Sequence, residues 1–158
     1  MKEFELKVND LADTHRLGAA LGAALPAGSV VALDGTLGAG KTHLVQALGA
    51  ALGVPSGTVV SPTFVLIQEY QGDKPIYHFD AYRLRDLDEF LELGPEEYYH
   101  RPGITLIEWA ERIAPGLPAE YLAIRIEVTG DTQRNIALQA YGETYEQVIT
   151  SVAEALGA

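Results

Sequence analysis

The chain has 158 residues, of which 47% are hydrophobic, and this is enough apolar material for one domain with one continuous core. Its net charge of −11 disfavours direct binding to nucleic acid, because such binding depends on lysines and arginines that contact phosphates. The chain has no cysteine, no apolar run long enough to cross a bilayer and no export signal at its start. We therefore expect a single domain over residues 1–158 that is cytoplasmic and has no contact with membranes.

Strands and helices alternate in the first third of the chain. Residues Phe4 to Val8 alternate apolar and charged side chains, which is typical of a half-exposed strand. Leucines between Leu11 and Leu25 follow at helical spacing and predict a helix that ends before Pro26. The short apolar run from Val30 to Leu33 predicts a buried strand, and leucine spacing predicts a second helix from Lys41 to about Leu52.

A complete phosphate-binding loop lies between this buried strand and the second helix. Gly35 to Thr42 reads Gly-Thr-Leu-Gly-Ala-Gly-Lys-Thr, and strand, glycine loop and helix are the context that the motif requires. Glycines let the backbone turn tightly and direct N–H groups at a phosphate beside the positive end of the helix. The motif predicts that Lys41 reaches the β- and γ-phosphates and that the Thr42 hydroxyl binds magnesium.

Strands follow one another in the second half of the chain. Strands are predicted at residues 64–70, 75–79, 104–107, 122–128 and 135–140, and helices at 85–93, 109–113 and 145–156. About six turn-like residues separate the last two strands, which predicts an antiparallel pair because no crossover helix fits between them. The order of elements predicts an α/β fold of the P-loop NTPase type, with a mixed, mainly parallel sheet, helices on both faces and a C-terminal antiparallel strand pair.

Phosphoryl transfer also requires a carboxylate that organises magnesium and water, usually at the carboxyl end of a buried strand. Three apolar runs end in an acid, namely Asp34, Asp80 and Glu108. Asp34 ends the strand that leads into the loop, so we interpret it as structural. For Asp80 and Glu108 the alternative is that either caps the next segment or pairs with an arginine. Of the two, Glu108 follows the more apolar strand and is favoured as the magnesium ligand, with Asp80 polarising the attacking water.

Four motifs in this order resemble the TsaE family, bacterial ATPases needed for the synthesis of threonylcarbamoyladenosine in tRNA. The motifs are Gly38 to Thr42, Ser61 to Phe64, His78 to Leu84 and Ile107 to Trp109. Many NTPases share the first motif, but few families have the other three in this order. The resemblance covers almost the whole chain. It departs from the family pattern at Thr36, His43 and Ala81, and we interpret His43 as an ordinary helix residue.

The resemblance implies a magnesium-dependent ATPase with ATP and Mg²⁺ as ligands. The nucleotide-binding residues that it implies are Leu11, Leu37, Gly38, Ala39, Gly40, Lys41, Thr42, Thr63, Trp109 and Arg134. In this assignment Thr63 senses the γ-phosphate from a mobile segment, and the helix segment Thr14 to Gly18 lies near the adenine with Arg134. Lys41, Asp80 and Glu108 are the implied catalytic residues, and Thr42 and Glu108 hold magnesium.

The resemblance also implies the partners TsaD and TsaB, which transfer the threonylcarbamoyl group. The chain would reach tRNA only through them, in agreement with its acidic charge. It would hydrolyse ATP weakly alone, because the switch-like segment needs a partner to order it. Two alternatives share the phosphate loop. A small-molecule kinase would need an acceptor pocket and usually an arginine-rich lid, which the sequence does not offer. A binding switch would distinguish ATP from ADP without useful turnover.

Overall fold

The computed structural model describes residues 2–36, 39–55 and 67–157. The strands in these ranges are β1 (Glu3–Val8), β2 (Val30–Gly35), β3 (Ile67–Tyr70), β4 (Ile76–Asp80), β5 (Ile104–Glu108), β6 (Tyr121–Val128) and β7 (Arg134–Tyr141). The α-helices are α1 (Leu11–Ala24), α2 (Lys41–Ala51), α3 (Leu87–Glu92), α4 (Pro95–Tyr99) and α5 (Glu143–Ala155). In these parts of the chain the strands form one seven-stranded sheet in the order β1-β7-β6-β2-β5-β4-β3.

The centre of the sheet is parallel. Strand β2 lies between β5 and β6 and is parallel to both, and β4 is parallel to β5. Strand β7 is antiparallel to β6 and β1, and β3 is antiparallel to β4. The predicted α/β fold with a mainly parallel core and a C-terminal antiparallel strand pair is confirmed. The few residues between β6 and β7 allow only a hairpin, which is why sequence spacing predicted this pairing.

Side-chain alternation divides the interior between the two faces of the sheet. On β2, Val31 and Leu33 belong to the larger core, whereas Val30 and Ala32 belong to the smaller one. Helices α1, α2 and α5 cover the larger core, and α3, α4 and a 3₁₀ segment, Ala110–Gly116, cover the smaller one. Helices therefore lie on both faces, as predicted. Within the described ranges no helix is both long and apolar enough to cross a membrane.

Element boundaries differ most from the predictions after β4. Residues Ala81–Arg83 form a 3₁₀ turn, and α3 begins only after Asp86, whose carboxylate accepts a hydrogen bond from the Glu89 N–H. Helix α4 was missed, because five residues are too few to show a helical period. The predicted helix at 109–113 is the 3₁₀ segment, which begins one residue after Trp109 and extends to Gly116. Residues 64–66 of a predicted strand lie outside the described ranges.

Helices α1 and α2 approach each other closely at Gly18. A Cβ atom at Gly18 would lie 2.7 Å from the Ala47 carbonyl carbon and 2.9 Å from the Leu48 nitrogen. Because both atoms belong to helix backbone, no side-chain rotation can relieve the overlap. We expect Gly18→Ala to lower the free energy of unfolding by about 1–3 kcal/mol, although alanine favours helix more than glycine does. Chemical denaturation measures the change.

The matched control is Ala19→Ser, at an exposed position of the same helix. It should change stability by about 0.5 kcal/mol or less. If Gly18→Ala were as stable as the parent protein, α1 and α2 would tolerate the added methyl group, and the close contact would not be required.

Candidate active site

The carboxyl ends of β2, β5 and β4 bring three acids together beside the start of α2. In the sheet register Leu33 lies next to Glu108, and Glu108 lies next to Asp80. The Glu108 and Asp80 residues are 4% and 8% exposed. Both carboxylates, and that of Asp34, lie close enough to Lys41 to favour its charged form. The structure therefore brings together the three predicted catalytic residues, Lys41, Asp80 and Glu108, at the edge where α/β sheets bind their ligands.

Alternation along the strands places Asp34 on the other face of the sheet. Leu33 and Leu106 belong to the larger core, so Asp34 faces the smaller core, whereas Glu108 shares the face of Leu106. The Asp34 carboxylate accepts a hydrogen bond of 3.1 Å from the Glu111 N–H. Asp34 thus supports the 3₁₀ segment that follows β5, which is a structural role.

Burial raises the pKa of Asp34 above 3.8, and the Glu111 carboxylate adds to the increase, although the Glu111 N–H opposes it. A raised folded-state pKa means that the stabilising contribution is present below the ordinary pKa and is lost as the pH rises through the folded-state value. We therefore expect Asp34→Asn to increase stability at pH 7, since the amide oxygen still accepts the Glu111 hydrogen bond. The increase should vanish towards pH 3.

Denaturation of both proteins at several pH values measures this effect. Glu127→Gln, which removes one exposed charge from β6, is the control for the change in net charge. A lower stability of Asp34→Asn at pH 7 would contradict the prediction, because it would mean that the ionised carboxylate is net stabilising.

The Asp80 carboxylate caps the turn after β4. Its Oδ1 atom accepts a hydrogen bond of 2.9 Å from the Tyr82 N–H. The capping alternative raised from the sequence is therefore correct for this oxygen. It does not exclude a role with water, because an ionised carboxylate has about four lone-pair positions on its two oxygens.

Lys41 is the first residue of α2, and it is only 5% exposed. Its ammonium donates to the Gly35 carbonyl at 2.6 Å and to the Thr36 carbonyl at 3.0 Å. It also lies 4.0 Å from the ring centroid of Trp109, a cation–π distance. Burial lowers the pKa of Lys41, and the neighbouring carboxylates oppose this decrease. The ammonium therefore lies where the loop, α2 and the end of β5 meet.

Gly40 precedes α2 in a left-handed conformation, with φ of 104°. Apart from its chain neighbours, no described residue has an atom within 4 Å of a Cβ placed there. The positive φ, which disfavours L side chains, is therefore the observed reason for glycine. This conformation leads the chain from the loop into α2, whose first N–H groups are available to an anion. The requirement explains the last glycine of the motif.

Trp109 has a strained backbone directly after β5. With φ of 60° and ψ of 40°, it is the only non-glycine residue of the described ranges with positive φ, a conformation that costs about 1–3 kcal/mol. Its N–H donates to the Leu33 carbonyl at 2.9 Å. Its ring packs on Tyr82 with centroids 4.9 Å apart. In this backbone conformation the Trp109 ring lies against the Lys41 ammonium, beside the phosphate loop.

A pocket of about 600 Å³ opens beside the loop, within the size range of small-ligand sites. Its lining includes Leu11, Thr14, Ala39, Gly40, His43 and Arg134. The pocket thus brings the start of α1 and the start of β7 to the phosphate loop. Of the segment predicted to lie near the adenine, Thr14 lines the pocket, whereas Leu17 and Gly18 pack in the interior. His43, which we interpreted as an ordinary helix residue, also lines the pocket.

Arg134 joins the β6–β7 hairpin to the phosphate loop. Its Nε atom donates to the Ala39 carbonyl at 2.9 Å, and Nη1 donates to the Gly130 and Gln133 carbonyls at 3.1 and 2.8 Å. The guanidinium thus holds one wall of the pocket against the loop. The contact of Arg134 with a nucleotide stays a prediction.

The described residues fit a magnesium ion that arrives with a nucleotide. Among these residues, no group of three or more histidine or acidic side chains is arranged to hold a metal alone. Mg²⁺ is commonly held by one or two carboxylates together with phosphate oxygens and water. Thr42, in the first turn of α2, and the buried Glu108 carboxylate would supply such a partial set of ligands. The predicted binding residues Leu37, Gly38 and Thr63 lie outside the described ranges.

Residues 8–136 match the family model described as "Threonylcarbamoyl adenosine biosynthesis protein TsaE". The chain belongs to the TsaE family. The TsaE protein of Bacillus subtilis (strain 168) is 39% identical over 149 residues, which cover 94% of this chain and 92% of that protein. The TsaE protein of Synechocystis is 46% identical over 122 residues, which cover 74% and 76% of the two chains. The crystal structure of B. subtilis YdiB matches with a TM-score of 0.79 and 32% identity, and covers 97% of this chain and 95% of its own.

The TsaE match extends over every predicted site residue, from Leu11 to Arg134. Sequence reasoning assigned no role to two further residues next to the site. His78 Nε2 lies 2.5 Å from Glu108 Oε2, and the Tyr70 hydroxyl lies 3.1 Å from His78 Nδ1. The available signal was the two-residue spacing of His78 and Asp80, which places both on one face of β4.

Proposed function

We propose that this chain is a magnesium-dependent ATPase that supports the threonylcarbamoyladenosine modification of tRNA through a TsaD–TsaB complex. The observation that carries the proposal is the meeting of Lys41, Asp80 and Glu108 beside a glycine loop and a pocket large enough for a nucleoside. Membership of the TsaE family supports the biological process.

In the proposed complex the loop backbone and the amino end of α2 bind the phosphates of ATP. The Lys41 ammonium exchanges its carbonyl contacts for β- and γ-phosphate oxygens, which bind a cation more strongly because they are charged. The pocket between α1 and the β6–β7 hairpin takes the nucleoside. Thr42 and Glu108 would hold magnesium, which would neutralise charge on the phosphate oxygens.

Hydrolysis requires that water attack the γ-phosphorus, with cleavage of its bond to the bridging oxygen of ADP. We assign to Asp80 the orientation and polarisation of this water. Its buried carboxylate, with one oxygen fixed by the Tyr82 N–H, supports the assignment. The products are ADP and inorganic phosphate. Lys41 stabilises negative charge on the phosphates during the reaction.

The net charge of −11 supports an indirect role with RNA. A surface with twice as many acids as bases repels the nucleic-acid backbone, so proteins that bind tRNA themselves must bring it to the complex. Complementary charge would speed and orient association with such basic partners.

The test measures phosphate release from Mg-ATP by the purified chain, alone and with purified TsaD and TsaB. We expect slow release alone, faster release with both partners and ATP-dependent binding to them. The Lys41→Ala variant is the control for contaminating ATPases. If the partners neither bind the chain nor change its turnover, and a metabolite is phosphorylated instead, the proposed function is wrong.

A further inference from the structure

A row of close polar contacts leads from the edge of the sheet to Glu108, and it is buried from Tyr70 onwards. The Tyr70 hydroxyl, which has one hydrogen to donate, is 2.5 Å from Gln68 Oε1 and 3.1 Å from His78 Nδ1. The other ring nitrogen of His78 is 2.5 Å from Glu108 Oε2. Since His78 is fully buried and Glu108 is 4% exposed, water competes little for these bonds. Polar oxygens thus flank the imidazole on both sides.

Packing alone does not account for these polar residues. On the same face of the sheet, Ile76 precedes His78 on β4, and Leu106 precedes Glu108 on β5. Two more aliphatic side chains would continue this core, and replacing a buried polar pair by apolar residues is often neutral or stabilising. A buried histidine and carboxylate at the end of an apolar face therefore point to a role in the adjoining site.

The bond to His78 occupies one oxygen of the Glu108 carboxylate. The tautomer with the hydrogen on His78 Nε2 lets the imidazole donate to the Glu108 carboxylate. With Oε2 held by the imidazole, rotation of the carboxylate is restricted, and Oε1 would be the oxygen that meets a metal ion or its water. Such partners behind a metal ligand commonly change metal affinity by about 10- to 100-fold.

We propose that His78 is a positioning residue for Glu108, and that Tyr70 holds the imidazole in place for this task. The inference rests on the proposed function, because the residue that His78 positions, Glu108, is the magnesium ligand proposed there. His78 itself does not contact the nucleotide. Its effect reaches the site only through the orientation of the Glu108 carboxylate.

The test compares His78→Leu, which removes the donor, with His78→Gln, whose amide can donate from a similar distance along the side chain. Binding of a non-hydrolysable ATP analogue is measured by calorimetry over a range of Mg²⁺ concentrations and in EDTA. In His78→Leu we expect the Mg²⁺ concentration for half-maximal binding to rise by about tenfold, with unchanged affinity in EDTA. His78→Gln should restore at least part of the magnesium dependence.

Tyr70→Phe should shift the magnesium dependence in the same direction but by less, because it leaves the His78–Glu108 bond intact. Equal losses of affinity in EDTA and in Mg²⁺ would overturn the inference, since they indicate general damage to the fold. An unchanged magnesium dependence in a folded His78→Leu variant would also overturn it. If His78→Leu does not fold, His78→Gln provides the test. Retention of at least part of the parent magnesium dependence supports the inference, and its complete loss overturns it. The proposed function fails separately, if the parent protein itself shows no magnesium-dependent nucleotide binding.

Discussion

Replacement of Asp80 by alanine is expected to lower the turnover of ATP about a hundredfold and to change ATP affinity little. The reason is that polarisation of the attacking water stabilises the transition state and does not strengthen the binding of ATP in the ground state. Phosphate release at saturating Mg-ATP gives the turnover, and calorimetry gives the affinity. Because Asp80 also caps the turn at Tyr82, the loss of this hydrogen bond should cost about 1 kcal/mol of stability.

Asp80→Asn is the variant that separates these two effects. Its amide oxygen still accepts the Tyr82 N–H, but it polarises water far less than a carboxylate does. We therefore expect parent-like stability and a turnover as low as that of Asp80→Ala. Full activity of Asp80→Asn would contradict the proposed role and leave Asp80 as a capping residue only.

Glu108→Ala provides the comparison within the site. It should weaken nucleotide binding in Mg²⁺ and leave binding in EDTA unchanged, because Glu108 is the proposed metal ligand. Equal losses of affinity in Asp80→Ala and Glu108→Ala would contradict this division of roles between the two neighbouring strand ends.

Lys41→Ala is expected to weaken ATP binding by about 10- to 100-fold, which corresponds to about 1.5–3 kcal/mol for hydrogen bonds between charged groups. The loss has two sources. The variant removes the donor to the phosphates, and it leaves the negative charges of Glu108 and Asp80 without the ammonium beside them. Affinity for ADP should fall as well, whereas affinity for adenosine should stay nearly constant.

Trp109 offers a direct measurement of this binding. It is the single tryptophan of the chain, and its ring lies 4.0 Å from the Lys41 ammonium. Its emission should therefore change when ATP draws Lys41 towards the phosphates. Lys7→Ala, at an exposed position on β1, is the control for loss of one positive charge and should bind ATP like the parent. Equal affinity of Lys41→Ala and Lys7→Ala for ATP would exclude the phosphate-binding role of Lys41.

Features that depend on neighbouring residues were predictable from the sequence. The Gly35 to Thr42 motif, its flanking strand and helix, and the β6–β7 hairpin all follow from short-range patterns of glycine, apolar period and turn length. Helix α4 lacked such a pattern because it is only five residues long. The family, too, was identified from four short motifs, and the match over residues 8–136 confirms it.

The acids at the strand ends illustrate what the sequence left undecided. Asp34, Asp80 and Glu108 look alike as carboxylates that end apolar runs. Their different surroundings come from strand register and from alternation between the two faces of the sheet. This geometry directs Asp34 to the 3₁₀ segment and brings Asp80 and Glu108 to adjacent strands on the α2 face.

By itself the sequence determined the phosphate loop, the fold class and the family, since each can be predicted from local residue patterns. Only the tertiary structure decided which distant side chains meet. It placed Arg134 on the Ala39 carbonyl, His78 behind Glu108, and the Trp109 ring over Lys41. These contacts join residues far apart in the chain, and they depend on strand order and a strained backbone angle that no short stretch of sequence specifies.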